Sequence, residues 1–311
     1  VDLSEVLFIA TANSVSDIPK PLLDRMELIE VSSYTENEKF HIAKEHLVEK
    51  QKEKNGLKKD QLTITDSALR DVIRYYTREA GVRSLERQIA ALCRKADRVI
   101  ADGERKSLHI TEKNLKEYLG IPKFELESWD LQPQEGIVTG LAWTSVGGDT
   151  LSIEVSLLPG SGKLELTGNL GDVMKESAQI AVSCVRAMTG KDILKKQDIH
   201  IHVPEGAVPK DGPSAGITMT TAIYSAVTKQ KVRGDIAMTG EVTLRGRVLP
   251  IGGLKEKLLA ARNHGMNEVL VPSRNRKDVE ELDREILGTM TITYVSTMDE
   301  VLDRAIWKET V

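Results

Sequence analysis

The sequence predicts a multidomain chain in which an α-helical bundle subdomain, residues 34–119, is followed by an α+β domain, residues 135–311. Apolar residues in the first region recur every three to four positions, which is the spacing of a helix face. In the second region, strand and helix patterns mix without the regular alternation of βαβ units, which favours an α+β fold. Residues 120–134 are mostly polar and are interpreted as a linker between the two regions.

A strand pattern precedes the helical region. Val6–Thr11 reads VLFIAT, an apolar run typical of a buried parallel strand. Because a single strand cannot form a sheet, residues 1–33 are interpreted as the tail end of a larger α/β subdomain, and the chain as a fragment of a longer protein. The sequence contains no G-x-x-x-x-G-K-S/T loop of the kind that cradles nucleotide phosphates.

Four helices are predicted in the helical region. The third, for example, carries Leu85, Ile89 and Leu92 on one side. Charges of both signs cover the remaining positions, so a solvated helical surface is a better interpretation than a nucleic-acid patch. The predicted helices span residues 36–51, 65–76, 84–101 and 111–120.

The second region carries both kinds of element. A hairpin is predicted within residues 236–251, turning at Arg245–Gly246. Further strands are predicted at residues 151–158, 269–272 and 291–295, and helices at residues 172–188 and 298–307.

Length and composition exclude several classes of protein. A chain of 311 residues and 34.4 kDa suggests about two domains. A net charge of −4 gives no general attraction to nucleic acid or to an anionic membrane, although nucleic-acid binding stays possible. Cys93 and Cys184 are far apart, which argues against a disulfide framework. No apolar run reaches the roughly 18 residues of a membrane helix, and no signal peptide opens the sequence. We therefore expect a cytoplasmic protein.

Ser214 occupies a position that suits a nucleophile. It follows Asp211, Gly212 and Pro213, which are helix start signals, and precedes an apolar helical run. The free N–H groups and dipole of a helix N-terminus favour negative charge, as the oxyanion of acyl transfer requires. The alternative is an ordinary capping serine.

A candidate base lies on a second short helix, predicted over residues 254–262 after Gly252–Gly253. At about 100° per residue, Lys257 borders the apolar face, whereas Lys255 lies on the wetter flank. Burial lowers the pKa of a lysine, and a neutral amine can accept a proton from a serine hydroxyl. The alternative is a lysine whose stem packs on the core while its ammonium stays in water.

Two histidines offer competing chemistry. His200 and His202 alternate along one predicted strand and therefore share a face. They could contribute to a zinc site, although no third ligand is evident at a useful spacing. His202 with Asp211 could instead complete a Ser-His-Asp triad on Ser214, and spacing alone does not exclude this.

Two segments resemble a known family. Residues 203–217 read VPEGAVPKDGPSAGI, and residues 237–261 read AMTGEVTLRGRVLPIGGLKEKLLAA. Both closely resemble the active-site stretches of bacterial Lon proteases, and the resemblance covers essentially the whole chain. It implies that Ser214 is the nucleophile and Lys257 the base of a dyad, with no metal.

The resemblance also implies roles for supporting residues. Thr239 would be the hydrogen-bond partner that orients the lysine amine. Glu241 and Asp211 would lie near the site in lesser roles, and His202 would be a structural neighbour rather than part of a triad.

The N-terminal part of this chain resembles the C-terminal portion of an AAA+ ATPase module. Residues 1–33 would end its α/β subdomain, residues 34–119 would be its helical subdomain, and residues 135–311 a Lon-type protease domain of ribosomal-S5-like type. Asn13 would sense the γ-phosphate, Arg25 would be an arginine finger offered to a neighbouring subunit, and Arg83 the second sensor.

The function implied is that of an ATP-dependent serine endopeptidase in protein quality control and stress response. It would degrade unfolded or regulatory proteins inside a hexameric ring. ATP and magnesium would serve the intact protein, while peptide-bond chemistry in this chain would need no cofactor. One alternative is a catalytically inactive, ring-forming Lon-like scaffold of a DNA-processing ATPase. Another alternative is a phosphate-binding kinase of the related ribosomal-S5-like superfold. Residues 212–216, however, lack the several glycines and serines of a nucleotide-phosphate loop.

Overall fold

The N-terminal part of the chain forms a unit of its own. The structure is a computed structural model that describes residues 2–12, 18–29, 31, 33–124, 131–144, 147–190 and 195–308. The chain divides into two compact units, Val1–Ser32 and Ser33–Val311. Within the described part of the first unit, the one helix is α1 (Lys20–Leu23), which buries no residue.

The prediction of a strand at Val6–Thr11 is wrong. The described residues 2–12 form no strand, and Leu7, Phe8 and Ile9 are 84%, 70% and 84% exposed. A strand needs a neighbour to satisfy its backbone N–H and C=O groups, so an apolar run alone does not make one.

The helical region is built on well-capped helices. Thr35 forms a capping box with Glu38, and Thr65 accepts a hydrogen bond from the N–H of Ala68. The first three predicted helices are confirmed, and the fourth is shorter than predicted. Its elements are α2 (Glu36–Ile42), a π-helical turn (Ala43–Leu47), α3 (Val48–Lys54), β1 (Leu62–Ile64), α4 (Asp66–Tyr76), α5 (Arg83–Ala101), β2 (Leu108–Ile110) and α6 (Leu115–Leu119). The two strands pair in parallel, and the apolar helix faces meet in one core.

A mixed seven-stranded sheet organises the second region. The strands of this region are β3 (Gln134–Glu135), β4 (Ile137–Thr144), β5 (Gly147–Pro159), β6 (Leu164–Thr167), β7 (Gln197–His202), β8 (Lys231–Val232), β9 (Ile236–Met238), β10 (Glu241–Val242), β11 (Val248–Leu249), β12 (Glu268–Pro272) and β13 (Thr291–Val295). The order in the sheet is β13-β12-β9-β4-β5-β7-β6. Strand β5 runs antiparallel to both of its neighbours, and the other pairs are parallel. This arrangement confirms the α+β class.

Helices cover both faces of this sheet. They are α7 (Asp172–Thr189), α8 (Gly216–Thr228), α9 (Leu254–Asn263), α10 (Arg276–Glu280), α11 (Arg284–Leu287) and α12 (Met298–Ala305). On β9, Ile236 and Met238 belong to the core shared with α7, α8 and α12. Ala237, between them, belongs to the core shared with α9. Helices α8 and α9 therefore pack on opposite faces of the sheet.

The predicted hairpin is confirmed at its turn but not in its extent. Strands β10 and β11 pair antiparallel, and the N–H of Gly246 donates to the carbonyl of Thr243. Strand β9 belongs to the large sheet instead. Across the described residues, no helix combines the length and apolar character needed to span a membrane.

Candidate active site

Ser214 lies in a tight turn at the start of α8. Pro213–Ala215 form a single 3₁₀ turn that continues into the helix, and Ser214 itself is half-buried. Gly212 precedes the turn with a φ of +123°, a backbone conformation that side chains disfavour. The N–H of Gly216 donates to the carbonyl of Pro213 and so closes this turn.

The serine turn is held against the segment that follows β9. The carbonyl of Ser214 accepts a hydrogen bond from the N–H of Gly240 at 2.8 Å, and the carbonyl of Gly240 accepts one from Ile217 at 3.0 Å. A side chain on Gly216 would place its Cβ 2.8 Å from the backbone nitrogen of Val242. Glycine at 216 therefore lets the helix start approach this segment closely.

Lys257 is buried on the first turns of α9. Gly253, with a φ of +65°, sets up the helix start, and its carbonyl accepts the N–H of Lys257 at 3.2 Å. The lysine is 3% exposed. Burial lowers the pKa of Lys257 from 10.5 to about 8. The helix face that was predicted to bury Lys257 does so, while Lys255 is half-buried.

Thr239 connects the lysine to the serine turn. It is fully buried just beyond β9. Lys257 Nζ donates to Thr239 Oγ1 at 3.2 Å, and Thr239 Oγ1 donates to the carbonyl of Ser214 at 3.4 Å. No hydrogen bond joins Ser214 Oγ directly to Lys257 Nζ among the bonds of these described residues. Catalytic hydrogen bonds are often long without substrate and tighten when it binds.

The structure does not assemble the alternative triad. The ring of His202 bonds through Nδ1 to Thr167 Oγ1 at 2.7 Å. The same hydroxyl lies 2.9 Å from His200 Nε2. Asp211 Oδ1 accepts the N–H groups of Met174 and Gly212, both at 2.9 Å, and so caps the start of α7. In the described part of the chain, His202 has no hydrogen bond to Asp211 or Ser214.

The structure shows no metal site among the described residues, and it locates most of the remaining predicted site residues. No group of three His, Cys, Asp or Glu residues among those described is arranged to hold a metal ion. Glu241 begins β10 and is half-buried. Arg25 follows α1 and Arg83 begins α5, and both are exposed. Asn13 lies outside the described residues.

Sequence reasoning missed Gly148. A Cβ at this position would overlap the backbone of Glu256, and it would lie 3.0 Å from the nitrogen of Lys257. Strand β5 therefore packs its backbone directly on the helix that carries the lysine. The glycine pair at residues 147–148 was the available signal, but only the fold shows which helix it meets.

Comparisons with known proteins agree along nearly the whole chain. The family model "Lon protease (S16) C-terminal proteolytic domain" matches residues 109–308, and "Lon protease AAA+ ATPase lid domain" matches residues 53–109. A Lon protease of Lachnoclostridium phytofermentans is 55% identical over 98% of this chain and 43% of its own length. Lon protease 1 of Bacillus subtilis is 57% identical over 98% of this chain and 40% of its length. A Lon protease of Escherichia coli is 55% identical, covering 99% and 40%. The chain thus spans about two fifths of the length of these relatives.

Proposed function

This chain belongs to the Lon protease family, and on that premise we propose that it is the peptidase-bearing part of an ATP-dependent serine endopeptidase. Ser214 is the nucleophile and Lys257 the base. The observation that carries this proposal is the burial of Lys257, which lowers its pKa to about 8. An amine with that pKa is partly neutral near pH 7 and can act as a base.

The proposed reaction is a two-step acyl transfer. Lys257 takes the hydroxyl proton as Ser214 Oγ attacks the peptide carbonyl. Backbone N–H groups around Ser214 stabilise the oxyanion of the tetrahedral intermediate. Lys257 returns the proton to the leaving amine, and the C–N bond breaks to leave an ester on Ser214. Water, deprotonated by the same amine, then attacks the ester, and the ammonium returns the proton to Ser214 Oγ as the C–O bond breaks.

Thr239 orients the base in this scheme. A neutral lysine amine has two N–H groups and one lone pair. Because Thr239 Oγ1 accepts one N–H, rotation of the amine is restricted and the lone pair is left for the serine proton. Asp211, Glu241 and His202 act indirectly: Asp211, for instance, ties the serine turn to α7.

The intact protein is proposed to couple this chemistry to ATP. Residues 1–33 would complete an AAA+ α/β subdomain, residues 34–119 its helical subdomain, residues 120–134 a linker, and residues 135–311 the protease domain of ribosomal-S5-like type. The match of the AAA+ lid family to residues 53–109 supports this division. With ATP and magnesium, and with Asn13, Arg25 and Arg83 as nucleotide sensors, a cytoplasmic hexameric ring would thread unfolded polypeptides to the dyad.

One experiment separates this proposal from the inactive-scaffold alternative. The protein is treated with a peptide boronate, and the adduct is located by mass spectrometry. We expect an adduct on Ser214, its loss in Ser214→Ala, and no cleavage of a fluorogenic peptide by Lys257→Ala or Lys257→Arg, since guanidinium stays protonated. An unmodified Ser214 in folded protein supports the scaffold, and peptide cleavage by Lys257→Ala at the wild-type rate contradicts the dyad.

A further inference from the structure

The segment just before α9 is held by one buried side chain, that of Asn275. Asn275 is 3% exposed and ends a 3₁₀ turn, Ser273–Asn275, that follows β12. Its Oδ1 accepts the N–H of Ile251 at 3.0 Å, and its Nδ2 donates to the carbonyl of the same residue at 2.8 Å. The amide therefore pairs with both backbone groups of Ile251, as a neighbouring strand would.

A carboxylate fixes the orientation of this amide. Asn275 Nδ2 also donates to Asp278 Oδ2 at 2.5 Å. A carboxylate can only accept, so the NH₂ group of Asn275 must face Asp278 and the carbonyl of Ile251. Both donors and the oxygen of the amide are thereby satisfied, as buried polar groups require.

The hydrogen bonds between the Asn275 side chain and the backbone of Ile251, here called the Asn275 clamp, act where the backbone would otherwise be free. Ile251 is followed by Gly252 and Gly253, the residues with the greatest conformational freedom. The carbonyl of Gly253 accepts the N–H of Lys257. A fixed Ile251 therefore restricts where the first turn of α9 can start, and with it the position of Lys257.

We propose that Asn275 is a positioning residue for the base of the dyad. By clamping Ile251, it keeps Lys257 at the depth where its amine is buried and bonded to Thr239. This inference rests on the proposed roles of Ser214 and Lys257. Asn275 lies 18 residues beyond Lys257, and its side-chain hydrogen bonds within the described part of the chain go to Ile251 and Asp278 rather than to the dyad.

The consequence of losing the clamp follows from the cause of the pKa shift. Burial alone lowers the pKa of Lys257, and no charged side chain of the described residues adds to it. Glu256, which precedes Lys257 on α9, accepts a hydrogen bond from Ser33. Asp211, which precedes the serine turn, accepts the N–H groups of Met174 and Gly212. A looser α9 start admits water to the amine, and its pKa then rises towards the ordinary value.

The test compares Asn275→Leu with a matched control. Leucine has a similar shape but cannot bond to Ile251. Asp278→Ala is the milder second variant, because it leaves the amide in place but unsupported. The control is Ser225→Ala, which removes a buried clamp at the far end of α8, where Ser225 Oγ accepts the N–H of Gly136 and donates to the carbonyl of Gln230.

Two measurements are made on each variant: the pKa of Lys257, by NMR titration of its Cε signal, and the pH profile of peptide cleavage. We expect a rise of about one pKa unit in Asn275→Leu and a smaller rise in Asp278→Ala. Such a shift lowers kcat about tenfold near pH 7, with KM unchanged and the loss recovered above about pH 9. Ser225→Ala should lower stability without moving either curve.

The proposal is overturned if the pKa of Lys257 in Asn275→Leu, or in Asp278→Ala should the first variant not fold, matches that of Ser225→Ala. This outcome is distinct from failure of the dyad. The NMR titration reports the surroundings of Lys257 whether or not it is the base, whereas the dyad fails only if Lys257→Ala cleaves peptide.

Discussion

Replacing Lys257 with methionine is expected to stabilise the protein near neutral pH while removing its base. Burial lowers the pKa of Lys257 from 10.5 to about 8, and each pKa unit corresponds to about 1.4 kcal/mol. The buried ammonium therefore destabilises the folded state by roughly 3 kcal/mol. Methionine is unbranched and of similar length, so it fills the site without this cost. Loss of the hydrogen bond to Thr239 destabilises the variant by about 1 kcal/mol. The net gain in folding stability is therefore about 2 kcal/mol.

The gain must depend on pH in a defined direction. Below about pH 8, folded and unfolded chains both hold the proton, and the folded state bears the full cost of burying it. Between about 8 and 10.5 the unfolded chain binds more protons than the folded one, so wild-type stability rises with pH. Above about 10.5 the amine is neutral in both states and the difference due to charge vanishes.

Urea denaturation near pH 7 and near pH 10 measures this difference. Lys255→Met is the matched control, because Lys255 is half-buried on the same helix and should give little change at either pH. The reasoning is refuted if Lys257→Met is no more stable than wild type near pH 7. It is also refuted if the difference between the two proteins is the same at both pH values.

Thr239→Val is expected to lower kcat for peptide cleavage about 10- to 100-fold at similar KM, because it removes the acceptor that orients Lys257 Nζ; an unchanged kcat would contradict that role. His202→Ala should lose less than about fivefold, because its ring bonds to Thr167, whereas a loss as deep as that of Ser214→Ala would restore the triad. Arg25→Ala in the full-length protein should lower ATP hydrolysis, spare short-peptide cleavage and be rescued in mixed rings. Full ATPase activity in that variant would exclude the finger.

The spacing of residues within a single helix was enough to predict which of its side chains are buried and roughly where it lies. The 100° rotation per residue placed Lys257 rather than Lys255 on the apolar face, and the structure buries Lys257. Likewise, a helix was predicted over residues 65–76, and the structure has α4 there, capped by Thr65. These features depend on residues within one or two turns of each other, so the sequence carries the information directly.

Features made by distant residues were beyond such reasoning. Strand β4 was not predicted, although it lies at the centre of the sheet between β5 and β9. The clamp between Asn275 and Ile251 joins residues 24 positions apart, and nothing in their spacing indicates it. The opposite error occurred at Val6–Thr11, where apolar composition predicted a strand. Pairing decides strand formation, and the described residues 2–12 form no strand.

The low pKa of Lys257 has burial as its cause. Glu256 precedes the lysine on α9, and its Oε1 accepts a hydrogen bond from Ser33 Oγ at 3.0 Å. Asp211 lies three residues before Ser214, and its Oδ1 accepts two backbone N–H groups. A carboxylate within about 4–6 Å of the amine would favour the ammonium and raise its pKa. Burial then acts on Lys257 without an opposing charge. Because burial lowers the pKa of the amine, its neutral fraction near pH 7 exceeds that of an exposed lysine, and the neutral amine is the form that acts as a base.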